Sequence, residues 1–150
     1  MVRSITIDQK SKNSFGLWTA GNYTYNPYTE SSIVSSYTSS ADYSGIYKAA
    51  TDGIIVNGSA SLHVDFGADT ASLNINHPDS SSSWATYSMG ISDDSFLAGL
   101  QNGTTSGNAL ATGTFYGETG DSVGGAFTIE NGGSVIADGV YQVHTDQVLH

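Results

Sequence analysis

Apolar and polar residues alternate along most of this chain, in short runs. The clearest run is Ser61-Leu62-His63-Val64-Asp65-Phe66, where Leu62, Val64 and Phe66 share one face and His63 and Asp65 the other. The same alternation returns at Leu73 and Ile75 within residues 71–76. Further strands are predicted at 43–50, 84–91, 95–100, 110–117, 123–130 and 135–144. Turn-forming residues punctuate them: Asp52-Gly53, Asn57-Gly58, Gly67-Ala68-Asp69, Asp93-Asp94, Asn102-Gly103 and Asn131-Gly132-Gly133.

This makes about eight strands from Tyr43 onward, the number at which an up-and-down barrel closes around an interior filled by side chains. An open sandwich would need lysine or proline to guard its edges. The chain has few lysines, and its prolines are Pro27 and Pro78 alone. The expected fold is therefore all-β: an antiparallel, roughly eight-stranded Gly-rich barrel with an N-terminal strand and loop extension. Leu62, Val64, Phe66, Leu73, Ile75, Phe115 and Phe127 should point inward together. Residues 1–42, with Tyr23 to Tyr28 and the Ser/Thr-rich run Ser31 to Ser40, read as an extension packed on the barrel of residues 43–150.

Composition narrows the function. Four Lys and Arg stand against 14 Asp and Glu, a formal net charge of -10, so nucleic acid and acidic membrane surfaces are repelled. The absence of cysteine excludes disulfides, thiolate metal sites, a cysteine nucleophile and a lipidated cysteine on this chain. Met1 to Lys10 contains no apolar run resembling a signal peptide. No stretch approaches the ~20 apolar residues of a membrane helix. Abundant Ser, Thr, Gly, Asn and Tyr with few charges suits an exported bacterial domain.

Gly120-Asp121-Ser122-Val123-Gly124 matches the G-x-S-x-G elbow of hydrolases. An elbow requires a strand, a strained turn and then a helix, whereas Val123 to Ile129 reads as another strand. Ser122 is accordingly expected to lack a histidine within hydrogen-bonding distance. The Asp93-Asp94 pair matches no calcium loop. His63 should lie outside the barrel, His144 follows the last strand, and His77 sits in Asn76-His77-Pro78-Asp79 at the start of a polar loop. All four histidines fit surface positions; His77 also fits an axial ligand to haem iron, flanked by Trp84 and loop tyrosines. Nine tyrosines suit a protein interface.

Two segments carry a resemblance. Gly58 to Gly67, with Val64-Asp65-Phe66, precedes by about fifty residues Gly113-Thr114-Phe115-Tyr116-Gly117-Glu118-Thr119-Gly120, continuing to Val123-Gly124-Gly125-Ala126-Phe127. Together they resemble the β-barrel domain shared by transferrin-binding protein B, neisserial heparin-binding antigen, factor H-binding protein and the haem-capturing hemophilins. Asp42 to Tyr47 resembles that family's first barrel strand, and Phe15-Gly16-Leu17-Trp18 a segment found before it. Glu118 and Gly120 depart from the proline and alanine usual there.

The resemblance implies a non-enzymatic binding module, exported by an outer-membrane translocon to the surface or surroundings of a Gram-negative bacterium. With no anchoring cysteine, the favoured expectation is a hemophore-like protein in haem or iron acquisition. In that case His77 would be the haem ligand and His144 the second one if the iron is six-coordinate. The alternative is a barrel that binds a host protein or serves as an adhesin module; a hydrolase using Ser122 ranks third.

Overall fold

Residues 28–92, 96–104 and 106–150 are described by a computed structural model. One helical turn, α1 (Ser31–Val34), precedes eight strands: β1 (Ser40–Thr51), β2 (Ile54–Asp65), β3 (Thr70–Asn76), β4 (Ser83–Ser92), β5 (Phe96–Gln101), β6 (Leu110–Tyr116), β7 (Ser122–Asn131) and β8 (Ser134–His144). Each strand pairs antiparallel with the next, and β8 returns to β1 to close the barrel. The expected fold class is the observed one. The segments at Phe15 to Trp18 and Tyr23 to Pro27, and the Asp93-Asp94 pair, lie outside the described residues.

The alternation in the sequence becomes an inside and an outside. Leu62, Val64, Phe66, Leu73, Ile75, Phe115 and Phe127 are all buried in the interior, as the register of their strands requires. One turn was misplaced. Asn57-Gly58 lies within β2, opposite Lys48 and Tyr47, because Asp52 and Gly53 turn the chain earlier. Both of those residues have positive φ (51° and 77°), the geometry of a tight hairpin whose twist matches its strands.

Four tyrosines at inward positions do most of the filling. Tyr43, Tyr47, Tyr87 and Tyr141 are nearly inaccessible. Their hydroxyls donate to the carbonyls of Gly120, Asn76, Thr128 and Thr112 at 2.8, 2.7, 2.5 and 2.8 Å, respectively. Alternation turns these four of the nine tyrosines inward, away from any interface, and each polar tip finds a backbone acceptor that makes its burial tolerable.

The glycines of the Gly113–Phe127 segment belong to the same arrangement. A Cβ on Gly113 would stand 2.4 Å from the Tyr141 hydroxyl oxygen. One on Gly125 would stand 1.9 Å from the Thr112 carbonyl oxygen, so β6 and β7 approach too closely there for any side chain. The motif therefore encodes packing.

The two ends of the barrel differ. At one end, residues before β1 lie across the opening. Val34 of α1 is 2 % exposed, the Tyr37 ring meets Phe66 edge-on at 5.2 Å, and the Tyr37 hydroxyl donates to Thr119 O at 2.7 Å. Thr29 adds a backbone bond to Phe115 O at 3.0 Å, and Thr38 N donates to His150 O at 3.2 Å. We call this the closed end. The opposite end carries the β1–β2 hairpin, the β3–β4 and β5–β6 loops and the β7–β8 hairpin. No helix among the described residues is long and apolar enough to cross a membrane.

Phe127→Ala should lower stability by about 3–5 kcal/mol, the usual loss for a buried aromatic ring. A urea midpoint shift equivalent to less than about 1 kcal/mol would show that the ring does not fill the interior. A pH effect follows from the tyrosines. Burial raises the ionisation of Tyr43, Tyr47, Tyr87 and Tyr141 above the ordinary value of 10.0. The unfolded chain therefore loses these protons first, and stability, intact below pH ~10, should fall as pH rises beyond it. Denaturation followed from pH 8 to 12 checks this; a midpoint that does not fall above pH 10 would contradict it.

Candidate functional site

The open end holds a groove of about 650 Å³, lined among others by His77, Trp84, Gln101, Glu130, Asn131 and Ile136. Its first wall is the loop after β3. Backbone bonds from His77 N to Ser82 O (2.9 Å) and from Ser80 N to His77 O (3.2 Å) fold this loop tightly. The Tyr47 hydroxyl, bonded to Asn76 O, ties its base to the interior. His77, exposed, stacks on Trp84 with ring centroids 5.6 Å apart and planes at 22°. Trp84 in turn lies 6.3 Å from the Tyr47 ring. The imidazole thus rests on an aromatic stack rooted in the core.

The second wall comes from an irregularity in the pairing of β7 with β8. The β7–β8 register shifts between Ile129 and Glu130, where Ile136 of β8 is the extra residue, and Ile129 and Glu130 are both buried. The Gln101 side chain secures the bulge from β5: Glu130 N donates to Gln101 Oε1 at 2.8 Å, and Gln101 Nε2 donates to Glu130 O at 3.2 Å. Glu130 lines the groove at 5 % exposure, and Ser106 Oγ donates to its Oε2. Neither Glu130 nor Gln101 stood out in the sequence. By alternation Glu130 belongs to the outer face, yet it is buried, with Ser106 of the β5–β6 loop against its carboxylate.

The surroundings of the groove are acidic and apolar. Asp52, Asp79 and Asp138 lie at the same end as Glu130, and Ile54, Ile55 and Val135 are exposed there. Lys48 is the one Lys or Arg among the described residues, and it bonds to Asn57 on the outer wall at 3.1 Å. No group of three His, Asp or Glu side chains among the described residues could hold a metal ion.

The histidines expected to act together lie apart. His77 follows β3 at the open end, whereas His144 ends β8 at the closed end. β8 alone runs 11 residues between the two ends. At ~3.4 Å per residue this is on the order of 30 Å, so both cannot ligate one iron. His63 is exposed on the outer wall, 2.6 Å from Asp42.

His144 meets Ser122 instead. The two are register partners on β7 and β8, and His144 Nδ1 lies 3.1 Å from Ser122 Oγ, while its Nε2 lies 3.1 Å from Asp146 Oδ1. The expectation that Ser122 has no histidine in reach is therefore wrong; it considered the local motif and not the register that pairs the two strands. The rest of a nucleophile's setting does not follow. The Asp146 side chain is 100 % exposed and that of His144 53 %, so the imidazole has no buried carboxylate to orient it. Ser122 opens a strand, with no helix after it.

The family model for the C-lobe and N-lobe β-barrels of transferrin-binding protein B matches residues 17–142. This chain belongs to that family. Among solved structures it is similar to the isotype 1 transferrin-binding protein B of serogroup B Neisseria meningitidis, at 22% identity and a TM-score of 0.64, covering 80% of this chain and 27% of that one. A transferrin-binding protein B mutant from Haemophilus parasuis Hp5 gives 18% identity and 0.64, covering 81% and 29% of the two chains. HpuA from Kingella denitrificans, solved in complex with human haemoglobin, gives 13% and 0.55, covering 76% and 43%. This chain thus spans less than a third of either transferrin-binding protein B. No curated protein sequence matches it.

Ser122→Ala should change stability by no more than about 0.5 kcal/mol, as for other partly exposed positions without a packing role. Esterase turnover that disappears in this variant would instead establish Ser122 as a nucleophile.

Proposed function

We propose that this chain is the ligand-capturing barrel of a protein on the outer surface of a Gram-negative bacterium, and that its open end binds a host iron-carrying protein. The observation that carries this reading is the asymmetry of the barrel. Residues 28–39 cover one end, while the other presents a groove with a stacked His77–Trp84 pair and exposed Ile54, Ile55 and Val135 around it. Aromatic anchors within a partly apolar surface are what protein interfaces use. Similarity to barrels of transferrin-binding protein B and to HpuA supports a partner of the transferrin or haemoglobin kind. The role is binding without catalysis, and export by an outer-membrane translocon belongs to the same proposal.

Haem itself, with His77 as axial ligand, is the second reading. The exposed position of His77 on the groove favours it. The remaining lining fits haem poorly. Buried Glu130 would face an anionic cofactor, and among the described residues no Lys or Arg lines the groove to pair with its propionates.

The chain, immobilised and exposed to human transferrin and haemoglobin in turn, should retain one of them. Trp84→Ala should then weaken that binding about thirtyfold, the loss of a central aromatic anchor worth roughly 2 kcal/mol. Retention of neither protein, together with a Soret band on adding haemin that is lost in His77→Ala, would replace this reading with the second.

A further inference from the structure

The open-end groove has a feature that general stickiness does not require: a buried carboxyl group without a cation. Glu130 is 5 % exposed, and Ser106 bonds one of its oxygens. Its Oε1 has no hydrogen-bond or ion-pair partner among the described residues. A buried carboxylate with a single hydroxyl donor among the described residues keeps acceptor capacity for a further, charged donor entering the groove.

The local backbone places this group deliberately. The β7–β8 register shifts beside Glu130, and the Gln101 amide bonds both backbone polar groups of Glu130. The carboxyl is thus held at a fixed position in the groove wall. The His77–Trp84 stack lines the same groove and offers flat π surface. Asp52, Asp79 and Asp138 lie at the same end.

We infer that the groove is a specificity pocket for an arginine side chain projecting from the partner protein, with Glu130 as its ion-pair acceptor and the His77–Trp84 rings as its stacking wall. The inference rests on the open end being a protein-binding surface and adds what that surface selects. A guanidinium is planar, always charged and weakly hydrated, so it can bond a carboxylate edge-on while its face lies against aromatic rings. The formal charge of -10 on the whole chain favours the approach of a basic surface.

The test uses the whole chain and two small probes, Nα-acetyl-arginine methylamide and its neutral isostere Nα-acetyl-citrulline methylamide, each titrated while amide and indole NMR resonances are followed. Saturable shifts at His77, Trp84 and Glu130 are expected with the arginine probe, with affinity at least tenfold weaker for citrulline. Glu130→Gln keeps the size and can still bond Ser106, and should remove that tenfold preference. Equal affinity for both probes, or arginine shifts that miss these residues, would overturn the inference. If Glu130→Gln fails to fold, the comparison of the two probes on the parent chain decides alone. Host-protein capture is measured separately. A chain that binds transferrin or haemoglobin but shows no preference for arginine keeps its general function and loses only this pocket.

Discussion

A barrel of eight strands encloses a space that must be filled, and here four tyrosines fill much of it while each still needs a partner for its hydroxyl. Tyr43, Tyr47, Tyr87 and Tyr141 resolve that demand by donating to main-chain carbonyls, so every ring is also a tether between distant parts of the wall. A phenylalanine in any of these places would supply the volume and leave a carbonyl with one donor fewer. The close strand approach at Gly113 and Gly125 follows from the same need, since the Tyr141 hydroxyl reaches Thr112 only where no Cβ intervenes.

These tethers also position the ends. Tyr43 holds Gly120 in the β6–β7 loop at the closed end, where Val34, Tyr37 and Phe66 pack over the interior. Tyr47 holds Asn76 at the open end, immediately before His77. The loop that carries the exposed imidazole is therefore anchored to the core by one hydrogen bond and one aromatic stack, a rigid mounting suited to recognition. Fold and site depend on the same buried rings.

The Ser122–His144–Asp146 contact shows why geometry has to be read with its surroundings. Antiparallel register brings residues 22 apart in sequence face to face, and three suitable side chains meet on the outer wall. The carboxylate that orients a nucleophile's histidine is buried, whereas Asp146 is exposed, and water competes with it for the imidazole.

The sequence alone determined the strand count, the inward set from Leu62 to Phe127 and the barrel itself, because each follows from alternation with a period of two and from local turn chemistry. Its Gly113–Phe127 segment also pointed to the correct family. The tertiary structure decided everything that depends on register or on ends. It placed Asn57-Gly58 inside a strand, joined His144 to Ser122 and separated it from His77, turned four tyrosines to the core, and covered one mouth of the barrel. Glu130 is the sharpest case: alternation assigns it to the outer face, and its burial comes with contacts to Gln101 and Ser106, distant in sequence, which no local pattern records.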